Sequence, residues 1–256
     1  MTRPSEQERG GPRERVALVG WISRMGAATD RAVARREHIT LASARARLAG
    51  AQRAGWLERR RPLYGQPSLY IATAAGMKAA GERRLGRCRV SAANAAHLIA
   101  CAGAAAELES RFREHTVRSE RELRRAEQEL GAALASARVG RQGAEPSWHR
   151  PDLVLWPRAP RAGLPVAVEV ELTVKAPERL LEICRGWARA RCVAGVLYLV
   201  SAQVERPLRR AIERARAGEK VVVVPLCAVT LAREGDRSYA SRASQRAAHS
   251  PCSSVA

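Results

Sequence analysis

Arg150-Pro151-Asp152-Leu153-Val154-Leu155-Trp156 and, after a short loop, Pro165-Val166-Ala167-Val168-Glu169-Val170-Glu171-Leu172-Thr173-Val174-Lys175 are the stretches that decide the fold. In the second, Val166, Val168, Val170 and Leu172 alternate with Ala167, Glu169, Glu171 and Thr173. Period two predicts a strand, with both glutamates on one face and the valines on the other. Two carboxylates side by side on a strand repel each other, and fold stability gives no reason for them. A divalent cation would remove that conflict. Upstream, Pro151-Asp152 opens a second short apolar run, 153–156, that can bring a third carboxylate alongside. Metal-dependent cleavage of phosphodiesters needs such a cluster.

Outward from these strands, the order of elements predicts an α/β domain. A strand over 152–156 and one over 165–174 are followed by a helix over 177–190, a strand over 193–201, a helix over 205–217 and a strand over 220–226. Pro177 suits the first turn of its helix. The apolar runs 193–200 and 221–226 predict strands buried on both faces, in a parallel or mixed sheet covered by helices. Residues 138–149 read as a loop or one weak strand. From 90 to 137 the chain is rich in Ala, Glu, Leu and Arg and lacks Pro, which predicts long helices. Leu123, Ala126, Leu130, Ala133, Leu134 and Ala137 form the apolar stripe of one of them, with Glu122 at its edge. His97 falls in an Ala-rich helix, where packing or solvation is its expected role.

The N-terminal part follows another pattern. Residues 1–13 are polar, Gly-rich and charged, and are expected to be disordered, as is the Ser-, Ala- and Arg-rich stretch 233–256. A helical region over 14–54 is broken at Gly26, with Thr29 or Asp30 capping the next helix and Thr40 a third. The third helix places Leu41, Ala44, Leu48 and Ala51 on one face and stops at Gly55. Residues 56–60 and 68–72 read as two strands around a loop over 61–67, and Thr73 caps a short final helix.

Composition narrows the partners. The 256 residues carry 45 Lys+Arg against 25 Asp+Glu, a net charge of +20, and the pI is near 11.3. A surplus of this size points to a polyanion, nucleic acid before an acidic membrane surface. Three of the basic residues are lysines, Lys78, Lys175 and Lys220. The six cysteines are scattered without a C-x-x-C pair, which argues for free thiols rather than a zinc site or disulfide framework. No apolar run is long enough to span a bilayer, and the polar N-terminus lacks the core of a signal peptide. The expectation is a cytoplasmic, nucleoid-associated protein.

Three helices followed by a basic hairpin, with Ala54-Gly55-Trp56-Leu57 before it and Tyr70-x-x-Thr73-x-x-Gly76 after it, closely resemble a winged helix-turn-helix over roughly 14–81. The resemblance implies a recognition helix over 40–54 and a wing over 59–66. Ser43, Arg45, Arg47 and Arg53 on the helix and Arg59, Arg60 and Arg61 on the hairpin would then contact duplex DNA. Dimerisation or protein contact is the alternative use of such a module. The remainder is similar to the restriction-endonuclease-like, PD-(D/E)XK, superfamily. More narrowly, the chain resembles the replication-relaxation family, through Ser119-Glu120-Arg121-Glu122-Leu123-Arg124, the stretch 149–156 and the stretch 167–180.

That resemblance implies a winged helix-turn-helix over 14–85, a helical connector over 86–117 and a nuclease-like domain over 118–232 with a mixed sheet flanked by helices. It implies that Asp152 and Glu169 hold Mg2+, or Mn2+ in its place, and that Glu122 orients a water or a second metal. Where the motif has lysine, this chain has Glu171. Lys175 reaching back, Glu171 as a third ligand, and a site that has lost catalysis are all compatible with the sequence. A further alternative pairs the glutamates with Arg179, Arg185 or Arg189 on a covering helix, and on that helix Trp187 is expected in the core. The implied function is a DNA-binding protein of plasmid replication or mobilisation that nicks or cleaves DNA with Mg2+. The alternative is a non-enzymatic regulator whose second domain serves oligomerisation, as a homo-oligomer, or partner binding.

Overall fold

The computed structural model describes residues 11–140, 147–159 and 163–226. Two compact units divide between residues 132 and 133. Most of the expected disordered segment 1–13, and all of 233–256, lie outside the described residues; Pro12 and Arg13 already belong to a helix.

The first unit opens with α1 (Pro12–Met25), which starts on the favourable N-terminal proline and ends at Gly26, whose φ of 88° reverses the chain. Helix α2 (Asp30–Arg36) is capped by Thr29, whose hydroxyl accepts from the Ala32 amide. Helix α3 (Leu41–Arg53) is capped in the same way by Thr40, through the Ser43 amide. Gly55, at φ 71°, ends it and turns the chain into β1 (Leu57–Arg60). Strand β1 pairs antiparallel with β2 (Leu69–Ala72), Leu57 facing Ala72 and Arg60 facing Leu69. Ala28 adds a bridge on the other side of Tyr70, exchanging both backbone hydrogen bonds with it.

Thr73 caps α4 (Ala74–Ala79) through the Gly76 amide. Gly76 sits against β1 so closely that a Cβ would lie 2.1 Å from the Trp56 carbonyl oxygen. Ala27, Leu69, Ile71 and Ala95 are buried together, with Leu63, Val90, Leu98 and Ile99 packed around them. Val90, Ala95, Leu98 and Ile99 bring α5 (Ala92–Arg111) onto this core.

Two expectations fail after α5. The region 90–137 is not helical throughout: His115–Ser119 forms a strand, β3, around the β-branched pair Thr116-Val117. Helix α6 (Glu120–Leu130) follows directly. It ends at Gly131, whose φ of 69° terminates the helix in the left-handed conformation. The stripe from Leu123 to Ala137 is therefore cut in two. Leu123 is buried, Leu130 is exposed, and Ala137 belongs to a strand.

The second unit holds a mixed sheet flanked by helices. A small antiparallel pair, β4 (Ala137–Val139) and β5 (Ser147–His149), replaces the expected loop or single strand. Strand β6 (Leu153–Pro157) pairs antiparallel with β7 (Val166–Glu171). Strand β7 then pairs parallel with β8 (Gly195–Val200), and β8 with β9 (Val221–Pro225). Helices α7 (Pro177–Arg189) and α8 (Ala202–Ala215) form the two crossovers and pack on each other. Right-handed crossovers between successive parallel neighbours place both on one face of the sheet. Lys220, just before β9, donates to the Ala190 and Val193 carbonyls and ties the strand to the chain leaving α7. Strand β7 is buried on both faces, so its two glutamates lie inside the protein, Glu169 at 4% and Glu171 at 7% exposure.

Candidate functional site

The register of β6 and β7 builds the site. Leu153 faces Val168, and Asp152, just before β6, lies beside the Glu169–Val170 segment of β7. The Asp152 Oδ2 accepts a 2.8 Å hydrogen bond from the Val170 amide, which fixes its carboxylate against the strand. Glu171 follows Glu169 on the same face two residues later. Lys175, beyond the end of β7, ion-pairs with the Glu171 carboxylate. Its positive charge also acts on Glu169. The expected Asp152, Glu169, Glu171 and Lys175 thus meet at one end of β7.

His149 joins them, although the sequence gives it no role of its own. Its Nε2 lies 2.6 Å from Glu169 Oε1. Strand β5 delivers this side chain, and its ring meets Trp187 of α7 edge-on at 5.8 Å between centroids. Helix α7 can come this near because of Gly186, where a Cβ would meet the Arg138 carbonyl oxygen at 2.9 Å and Val139 at 3.0 Å. Trp187 is core, as expected, with no exposure. On the other side of β7, Glu169 stands in register with Tyr198 of β8.

Burial dominates the electrostatics. Desolvation pushes the Glu169 carboxyl above the ordinary carboxylate range, His149 opposes that shift, and the Asp152 charge adds to it. Burial lowers the Lys175 ammonium while Glu169 and Asp152 hold it up. Burial, with Glu169 beside it, raises the Tyr198 phenol well above its usual value. The Cys184 thiol is pushed up to about 12 by burial and Glu169, which leaves it protonated and poorly nucleophilic. The reactive groups of this cluster are therefore carboxylate oxygens, one imidazole and one amine.

The covering arginines are not the partners of these glutamates. Arg179 pairs with Glu182, and Arg185 and Arg189 are exposed without an ion pair among the described residues. Glu122 is placed in the first unit, where it closes a capping box at the start of α6. Its Oε2 accepts from the Ser119 amide at 2.9 Å, and Arg24 lies 3.6 Å from its other oxygen. Burial raises this carboxyl, and the Ser119 amide and Arg24 oppose the rise.

On α3 and the hairpin, the basic residues differ in availability. Arg47 is held by Glu14 and Glu37 and is mostly buried, Arg45 pairs with Asp30, and Ser43 meets the Thr40 hydroxyl. Arg60 shares Glu58 with Arg87. Arg53, Arg59 and Arg61 are exposed and make no ion pair among the described residues. The four described cysteines, Cys88, Cys101, Cys184 and Cys192, form no disulfide among the described residues. Among the described residues no helix is long and apolar enough to cross a membrane.

Asp152, Glu169 and Glu171 offer carboxylate oxygens, the donor type that Mg2+ takes, and His149 offers a nitrogen that suits Mn2+, but no three of these ligand atoms lie within 4.8 Å of one another. No protein-family model, no curated protein and no solved structure matches this chain.

Proposed function

We propose that this chain is a DNA-binding protein of plasmid replication or mobilisation type, with a winged helix-turn-helix in its first unit and a metal-dependent, nuclease-like PD-(D/E)XK domain in its second. The observation that carries the reading is that Asp152, bonded to the Val170 amide beside Glu169, and Lys175, beyond the end of β7, act on the same carboxylate. A lysine four residues after Glu171 reaches the cluster that the usual lysine position, taken here by Glu171, would serve. In the first unit, the helices α1 to α3, the antiparallel hairpin and the extra bridge at Ala28 support the DNA-binding module. The replication-relaxation assignment rests on the sequence resemblance.

Asp152, Glu169 and Glu171 would hold Mg2+ or Mn2+, which supplies polarisation of the scissile phosphate and a water of lowered pKa. The protein's own groups do the rest. The Val170 amide fixes Asp152, His149 holds one oxygen of Glu169, and Lys175 offsets negative charge accumulating at the phosphate. Glu122 stands apart in this reading as the residue that caps α6.

Supercoiled plasmid incubated with the protein and Mg2+ or Mn2+ tests the proposal. Nicking that disappears in Asp152→Ala and Glu169→Ala is the expected result. A second reading, a regulator without catalysis, is favoured by one observation: Glu171 pairs with Lys175, Glu169 with His149 and Asp152 with the Val170 amide, so each carboxylate already has a protein partner. Salt-sensitive DNA binding with no cleavage under either metal supports that reading and refutes the nuclease.

A further inference from the structure

The tip of the hairpin carries Tyr64, whose side chain is as exposed as in an open chain. It is held out on a short loop. Pro62 and Pro67 restrict the backbone on either side, and Gly65, at φ 70°, makes the reversal. Arg59 and Arg61 lie just before it, exposed and without an ion pair among the described residues. An aromatic ring bare on both faces, on a constrained loop beside unneutralised guanidinium groups, is suited to stack on a nucleobase while the cations meet the flanking phosphates. In intact B-form DNA the faces of the bases are covered by their neighbours and only the edges are open. A ring presented in this way gains stacking area where a base step is opened or a strand is unpaired.

We propose that Tyr64 is a base-stacking residue and that the preferred ligand of the hairpin is DNA with unpaired or unstacked bases next to duplex. The inference rests on the DNA-binding reading of the first unit and sharpens it to a substrate class. Arg59 and Arg61 supply affinity that falls with salt, and Tyr64 supplies a salt-independent preference for the opened site.

The test measures binding of the full-length protein, by fluorescence anisotropy, to a labelled duplex and to the same duplex with a short central bubble. The bubble carries 2-aminopurine, whose emission reports stacking. Wild type is expected to bind the bubble on the order of ten-fold more tightly, as one stacked base warrants, and to alter the 2-aminopurine emission. Tyr64→Ala loses the preference and the emission change and keeps the duplex affinity, whereas Tyr64→Trp retains all three. Because the side chain is fully exposed, neither change disturbs folding. Equal binding of both DNAs by wild type, or a preference that survives in Tyr64→Ala, overturns the inference and leaves the DNA-binding reading standing. No binding to either DNA overturns both. Tighter Tyr64-dependent binding to an RNA of the same sequence, or to vesicles of anionic phospholipid, overturns the substrate class.

Discussion

Replacing His149 by alanine tests the physical core of the second unit. Glu169 and His149 are both largely buried, and their approach of 2.6 Å is the principal hydrogen bond of the Glu169 carboxylate. Removing the imidazole leaves a buried carboxylate oxygen without a partner, a loss of about 1–3 kcal/mol for an unsatisfied polar group. Where the pair is ionised the loss approaches about 3–5 kcal/mol. The edge-on packing against Trp187 disappears as well, adding roughly 0.5–1.5 kcal/mol. His149→Ala should therefore destabilise the second unit by about 2–5 kcal/mol, near the middle of that range after partial relaxation.

For a unit of this size each kcal/mol corresponds to about 4–8 °C in the midpoint. The calorimetric transition of the second unit should fall by roughly ten degrees or more. The same substitution in a Glu169→Gln background should cost distinctly less, since a neutral amide loses less than a carboxylate when its partner goes. Calorimetry and urea denaturation of the four proteins give the coupling. A cost below about 0.5 kcal/mol, equal in both backgrounds, would refute the reasoning, because it would mean that Glu169 gains nothing from His149.

The remaining expectations concern other elements. Gly76→Ala places a Cβ against the Trp56 backbone oxygen, and the first unit should lose several kcal/mol, on the order of a severe backbone clash, in urea denaturation. Glu122→Ala should cost about 1 kcal/mol through the broken capping box, while Glu122→Gln keeps the acceptor. Because burial raises Glu122, its folded form holds the proton to higher pH than the unfolded chain does. Wild type should lose stability relative to Glu122→Gln as pH rises above the ordinary carboxylate range, a trend that urea midpoints at several pH values will show or exclude. If Asp152, Glu169 and Glu171 hold a cation, Mn2+ at a hundred times its Kd should stabilise the second unit by about 2.7 kcal/mol, and Asp152→Asn should abolish the gain. If the hairpin binds DNA, Arg59→Ala with Arg61→Ala should reduce the slope of log affinity against log salt by up to about 0.9 for each phosphate that is no longer neutralised.

What could be read from the sequence was what depends on local chemistry. Thr29, Thr40 and Thr73 announce their helices because a hydroxyl before a helical run satisfies an otherwise open amide. The alternation in β7 located Glu169 and Glu171 on one face for the same kind of reason. Strand β3 was hidden because five residues between two helices carry too little pattern to outweigh the helix formers around them. The break at Gly131 was overridden by an apolar stripe that continues in register past it, although the left-handed glycine settles the matter in the structure. Helix α8 begins three residues before its expected start, at Ala202, and places Pro207 inside it. His149 could not be found locally, because its role depends on the β4–β5 pairing that brings it to Glu169 from another strand. A signal was present nonetheless: an imidazole stands three positions before Asp152, at the head of the same motif.

The use of the three lysines has a practical consequence. Lys175 is committed to a carboxylate and Lys220 to two carbonyls, so their amines are engaged, while Lys78 extends into solvent on α4. Amine-directed reagents, whether acylating probes, crosslinkers or cellular acetyltransferases, should thus find Lys78 the most accessible of the three side-chain amines despite the strongly basic composition. A fluorophore attached there, by chemistry that spares the cysteine thiols, would report on the first unit.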